Sequence, residues 1–293
     1  MKKFTNHIRI ILELAKVRIT SFVALSTTVG FILYNGALSF QMIFPTLGVF
    51  LLACGSSAIN HVQESEFDAL MERTKYRPIP SGRINKKAAL LISVIIVAAG
   101  SLVLYISSNF TALLLGWIAL AWYNFVYTPL KKKNALAVIP GSLIGAIPPI
   151  IGWTAAGGSP FDLQILTIGL FFFIWQIPHF WLLLLIHSND YEKAGYPTLN
   201  QKFNKQQISL YTFIWIAVLN ISCLLIPLFK ISSNIFSSLL IVLFGVFLLL
   251  TTKDILTKYI EKVVIRRAFI MINLYVLAVS FVISIDKLLL REF

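Results

Sequence analysis

Two cysteines in 293 residues are too few for a disulfide framework, and both, Cys54 and Cys223, sit inside apolar runs that call only for a small packing side chain. The four histidines, His7, His61, His179 and His187, have no zinc-ligand spacing. Charge is also scarce: 13% of residues are charged and 58% hydrophobic, with a mean hydropathy of +0.82. That composition excludes a soluble globular domain and indicates a polytopic membrane protein. Acids are scarcest, 12 Asp and Glu against 25 Lys and Arg, for a net charge of +13.

What is present in abundance is long apolar runs. They predict an all-α protein of nine spans at 19–36, 42–60, 88–107, 110–128, 136–155, 163–186, 208–229, 234–252 and 268–286. Continuous rather than alternating apolarity excludes a β-barrel. The 108–109 connection is the shortest. Residues 1–18 are basic and amphipathic and read as a segment on the membrane surface. The following run offers no small-residue cleavage site and reads as an uncleaved span. The whole chain, 1–293, reads as one integral-membrane domain. With the N-terminus cytoplasmic, 22 of the 25 Lys and Arg fall on inner segments and only Lys230, Lys287 and Arg291 on outer ones. The basic balance is therefore a topology signal, aided by anionic membrane lipid, and not a nucleic-acid footprint. It places 61–87 and 187–207 as cytoplasmic loops, puts the C-terminus outside, and fits a cell (inner) membrane.

Of the few acids, four (Glu64, Glu66, Asp68, Glu72) lie within nine residues, followed at once by Arg73, Lys75, Arg77 and Arg83. Asn60, Glu64 and Asp68 recur every four residues, which puts three oxygen-bearing side chains on one helical face. Oxygen donors suit Mg²⁺, and the bases that follow suit a phosphate ester; the segment Arg73–Arg83 reads as a lid over the bound anion. The alternative is a solvated, charge-paired loop. A second cluster runs His187-Ser188-Asn189-Asp190-Tyr191-Glu192-Lys193, again where an apolar run meets the inner face. Two such clusters could grip metal and diphosphate from two sides.

Three further stretches carry polar residues into apolar surroundings. Tyr123 to Lys133 contains Asn124, Tyr127 and Lys131; it reads either as an interfacial aromatic belt with positive-inside lysines or, for the aromatic faces, as a surface for a cation. Ala137 to Trp153 holds Gly141 and Gly145, spaced for close helix contact, and Pro148-Pro149, which predict a break within the membrane. Trp175, Gln176 and His179 form a polar island among aromatics that reads as cavity-facing.

Together these stretches resemble the UbiA superfamily of intramembrane prenyltransferases, and within it the protohaem IX farnesyltransferase family. The resemblance rests on Ala15-Lys16-Val17-Arg18, on Asn60, Glu64 and Asp68 with Ala69 to Thr74 and Arg77-Pro78, and on Tyr127 to Lys131. It also takes in Gly145, Pro148-Pro149 and Gly152-Trp153, Trp175-Gln176 with Pro178 to Trp181, and Asp190-Tyr191 with Ala194-Gly195 and Pro197. It implies nine helices around a central cavity. There Asn60, Glu64, Asp68 and Asp190 would bind Mg²⁺ and take part in catalysis. Arg73, Lys75, Arg77, Asn124, Tyr127, Lys131, Trp175, Gln176, His179 and Lys193 would bind the substrates, farnesyl diphosphate and haem b, the latter as acceptor rather than cofactor. The chain departs from the family pattern at Ser65, Glu66, Tyr76, Ala137, His187, Thr198 and Asn200. Ser65 and His187 fall where phosphate or propionate partners are expected, so they bear on the acceptor more than on the prenyl donor. A quinone-precursor acceptor is one alternative, against which Trp175–Trp181 argues. A transporter of an anionic solute is another, against which the one-sided placement of the acids argues.

Overall fold

The computed structural model describes residues 2–258 and 261–289, with the side chains of 2–6 left aside; the outer charge Arg291 and part of the basic linker 253–267 lie outside the described residues. No strand occurs among the described residues. An amphipathic helix, α1 (Lys2–Ala15), precedes the nine helices that, among the described residues, are long and apolar enough to cross a membrane. These are α2 (Val17–Asn35), α3 (Ile43–Leu70), α4 (Lys86–Ser107), α5 (Phe110–Lys131), α6 (Val138–Ala155), α7 (Leu163–Ile186), α8 (Lys205–Leu228), α9 (Ile235–Leu256) and α10 (Lys262–Leu289).

Helix ends follow local chemistry. Asn85 and Asn109 accept the backbone N–H of Ala88 and Ala112 at 2.7 and 2.9 Å, capping α4 and α5. Asn109 also donates to the Thr154 carbonyl at 2.7 Å, so the two-residue 108–109 connection is fastened to α6. Asn204 and Gln207 make a reciprocal capping box at the start of α8.

Three expectations shift. α3 does not stop at 60 but continues to Leu70, carrying Asn60, Glu64 and Asp68 on regular helix. Pro148 and Pro149 lie inside the continuous helix Leu143–Ala155; the irregularity in α6 falls at Ser142 instead. Farther along α6 the Pro149 carbonyl packs so closely on Gly30 of α2 that a Cβ would sit 1.9 Å away, and Gly152 meets the Thr27 carbonyl in the same way. The bare surfaces of those two glycines let α2 and α6 cross with their backbones in contact. Helix α1 is docked as well as amphipathic: Ile10 and Leu14 pack with Ala58, Ile79 and Ala89, while Ile8, Ile11 and Leu12 stay exposed.

Two apolar cores flank α6. One joins Val29 and Leu33 of α2 and Trp153 of α6 to α7–α10 through residues such as Phe171, Leu182, Leu219, Ile272 and Val279. The other joins Val49 and Leu52 of α3 to Leu104, Ala112, Ile147 and Ile151. A cavity is left between these groups of helices.

Candidate active site

The cavity has a volume of about 300 Å³ and takes its walls from α2, α3, α5, α6, α7 and the segment after α7. Its polarity is graded along α3. Val49 and Leu52 line one part, Ser56 follows, and Asn60, Glu64 and Asp68 line the other. From Val49 to Asp68 the helix rises by about 28 Å. Across from α3, Leu120, Tyr123, Tyr127 and Lys131 of α5 line the same cavity. Their segment Trp122–Tyr127 is π-helical. Pro129 has no N–H, and its ring would press on the Phe125 carbonyl in a regular α-helix; the wider turn relieves that and aims both tyrosines at the cavity.

At the polar end every acid on α3 already has a partner. Lys131 Nζ lies 2.5 Å from Glu64 Oε1, with side chains only 20% and 5% exposed. Arg77 Nη1 donates to both oxygens of Asp68, at 2.8 and 2.7 Å. Lys16 Nζ donates to Asn60 Oδ1 at 3.1 Å, and Asn60 Nδ2 donates to Thr128 Oγ1 at 3.1 Å, so the amide is held between α2's entry and α5. Burial, with the Arg77 charge nearby, pulls the Lys16 ammonium down to about 7. The Tyr196 hydroxyl donates to Glu64 at 3.4 Å, and burial, then the Glu64 charge, raises the pKa of its phenol. Lys131 also lies 5.7 Å from the ring centroids of both Tyr127 and Tyr196. The Tyr123 and Tyr127 rings stack at 5.8 Å.

The two acid-bearing segments meet. The short helix Ser188–Lys193 brings Asp190 Oδ2 within 3.3 Å of the Arg73 backbone N–H, which donates to it. Met71, Ala194 and Tyr196 pack together beneath that contact, with Phe67 and Tyr191 against them. The segment after α3 is not a free flap: Arg83 grips Glu13 of α1 at 2.6 Å, and Arg77 grips Asp68.

Of the anticipated site residues, Asn60, Glu64, Asp68, Arg73, Arg77, Tyr127, Lys131 and Gln176 line the cavity. Lys75 does not; it pairs with Glu72 at the surface at 2.6 Å. Lys193 is exposed. Asn124 is buried behind the wall, donating to the Ser56 carbonyl at 3.2 Å and accepting from the Ser56 hydroxyl at 3.4 Å. Trp175 and His179 lie on the other face of α7. His179 Nδ1 is 2.8 Å from Asn273 Oδ1 of α10, and its ring packs on Trp175 and Phe269. Helical spacing separates the island: 175 and 179 share one stripe, 176 and 180 the next. Gly141 and Gly145 make room for side chains, Tyr127 and Gln176 respectively, rather than for another backbone.

Tyr123, one of the aromatic faces read as a surface for a cation, lines it too, and Lys16 and Tyr196, which charge and aromatic patterns alone mark as surface or belt residues, complete the wall. Among the described residues no three His, Cys, Asp or Glu side chains are preassembled as a metal centre. The donors facing the cavity are an amide and two carboxylates, all oxygen, which fits a hard cation that takes its remaining ligands from a bound diphosphate.

A family model for the UbiA prenyltransferase family matches residues 23–275. The protoheme IX farnesyltransferase of Oleidesulfovibrio alaskensis is 32% identical over 276 residues, covering 94% of this chain and 95% of that one. The enzyme of the same name from Geobacter sulfurreducens is 43% identical over 182 residues, covering 62% and 67%. Among solved structures, a digeranylgeranylglyceryl phosphate synthase superposes with a TM-score of 0.78 at 17% identity, covering 98% and 99%. A UbiA homologue from Archaeoglobus fulgidus bound to GPP and Mg²⁺ superposes at 0.68 and 16%, covering 94% and 99%.

Proposed function

The chain belongs to the UbiA prenyltransferase family, and we propose that it transfers a farnesyl group from farnesyl diphosphate to a vinyl group of haem b, giving haem O. What carries this is the polarity of one cavity: carboxylates and bases gathered at one end, aliphatic and aromatic walls along the rest. A prenyl diphosphate has the same two-part character. The acceptor follows from the relatives named protoheme IX farnesyltransferase, one of them similar along almost the whole chain.

Asn60, Glu64 and Asp68, with Asp190 alongside, would hold Mg²⁺, which when bound supplies positive charge to the departing diphosphate. The residues do the rest. Lys131 and Arg77, together with Arg73 and Lys16, present cations where the leaving group's charge develops. The stacked Tyr123 and Tyr127 faces favour an allylic cation. Val49, Leu52 and Ile151 seat the hydrocarbon and keep water from the cation. The vinyl carbon attacks the allylic carbon as the C–O bond to diphosphate breaks. Water then adds to the resulting benzylic-type cation, leaving a hydroxyl and releasing a proton. Both substrates partition into lipid, so a site inside the bilayer suits them. The excess of inner-side bases supports a cell-membrane protein with its N-terminus and the polar end of the cavity cytoplasmic.

The test is direct. Purified protein with Mg²⁺, farnesyl diphosphate and haem b should yield a haem heavier by a farnesyl and a hydroxyl group in mass spectrometry. Diphosphate release with a quinone precursor and none with haem would overturn the acceptor. Glu64→Gln and Asp68→Asn should each lower kcat at least 100-fold without loss of the folded protein.

A further inference from the structure

A second cavity, of about 250 Å³, adjoins the first between α1, α3 and the segment that follows α3. The two share Lys16, Arg73 and Arg77. The second is lined in addition by Glu13, Tyr76 and His61. His61 is only 2% exposed, yet neither of its ring nitrogens has a hydrogen-bond partner. A buried imidazole left unsatisfied at both nitrogens is costly unless something entering the cavity completes it.

The surrounding charge says what enters. The one acid in the cavity, Glu13, is taken up by Arg83 at 2.6 Å and Arg9 at 3.1 Å, so the cavity offers no free carboxylate for a divalent ion. Lys16, Arg73 and Arg77 line it, Lys16 held by Asn60 and Arg77 by Asp68, and a wall that basic with no free carboxylate calls for an anion. A metal-bound diphosphate needs the Glu64 and Asp68 face. His61 follows Asn60 by one residue and is turned by about 100° around α3 from that face. A singly charged carboxylate matches a wall with bases, an imidazole donor and no metal ligand.

We propose that the cavity around His61 is a carboxylate site, separate from the diphosphate end, that takes one propionate of the porphyrin acceptor. The assignment to the acceptor rests on the function proposed above. An apolar porphyrin entering from lipid brings two carboxylates that need partners in the protein. His61 donates an N–H to one of them, and Arg73, on the wall common to both cavities, balances its charge.

The full chain in nanodiscs would be titrated with haem b and with haem b dimethyl ester, following the Soret band. Wild type should bind the free acid about tenfold more tightly than the ester. His61→Leu, which replaces an unsatisfied polar ring with an apolar side chain the fold tolerates, should bind both equally at the ester's affinity. His61→Gln keeps an N–H donor and should recover part of the preference. Equal binding of acid and ester by wild type, or an undiminished preference in His61→Leu, overturns the proposal. A companion titration uses sodium propionate alone on ¹⁵N-histidine-labelled protein, the His61 resonance being identified by its loss in His61→Leu. A shift with propionate but no haem binding would defeat the haem acceptor and leave the carboxylate site standing. A shift with inorganic diphosphate and none with propionate would overturn the proposal and give the cavity to the donor.

Discussion

Gln176 reaches the cavity because Gly145 opposite has no side chain: a Cβ there would fall 2.2 Å from Gln176 Nε2. The obstruction is the far end of a flexible side chain, so Gly145→Ala should fold with little loss of stability but displace Gln176. The expected result is a raised KM for a substrate with a melting temperature near wild type, measured by steady-state kinetics and thermal unfolding in detergent. At this scale the α3 face was legible in advance, because Asn60, Glu64 and Asp68 obey the helical repeat at the end of a long apolar run. Trp175 and His179 were not, because adjacency along the chain makes them seem partners of Gln176 whereas a helix turns them toward Asn273. Asn124 likewise has the polarity of a ligand-binding group but spends its hydrogen bonds tying α5 to α3. Residue type alone cannot separate those roles; the neighbours across the helix interface do.

Among the elements, the crossing of α2 and α6 depends on backbone meeting backbone. Gly30→Ala would drive a Cβ to 1.9 Å from the Pro149 carbonyl, which cannot rotate away. It should cost about 3 kcal/mol or more, read as a large fall in melting temperature, in contrast to Gly145→Ala. The Pro148-Pro149 pair predicted a broken helix, but both prolines lie within the unbroken helix Leu143–Ala155, which packs backbone to backbone on α2. Helix α1 hangs on a different kind of joint, the Arg83–Glu13 pair, about one-third exposed on each side. The Arg83 hydrogen bond holds the Glu13 carboxyl below its usual 4.5. A lowered acid contributes stability above its ordinary value and loses it as pH falls through the lowered one. Arg83→Ala should therefore loosen α1 by up to about 1 kcal/mol at neutral pH and leave its amide exchange less sensitive to acid than in wild type. Hydrogen–deuterium exchange across Lys2–Ala15 measures both.

On the scale of the whole molecule, nine helices could be counted from hydropathy because lipid leaves little choice of backbone. Their ends could not be, since α3 and α10 run on past the apolar stretch with polar residues still in helix. The orientation is open to a direct check. Cys54 and Cys223 are buried, so the natural chain provides a quiet background for single added cysteines. In intact cells, Leu38→Cys should react with a membrane-impermeant maleimide, and Lys202→Cys should react only after lysis.

The ion pairs at the polar end have a thermodynamic consequence. Lys131 and Arg77 cannot serve a phosphate while they neutralise Glu64 and Asp68, and those carboxylates cannot serve a cation while they are so neutralised. Each ligand that arrives releases the groups the other requires. The affinities for divalent ion and for prenyl diphosphate are therefore linked, each raising the other by the same factor. An enzyme wired this way resists loading with one ligand alone, and titrating either in the presence of the other should lower its binding midpoint by the same factor.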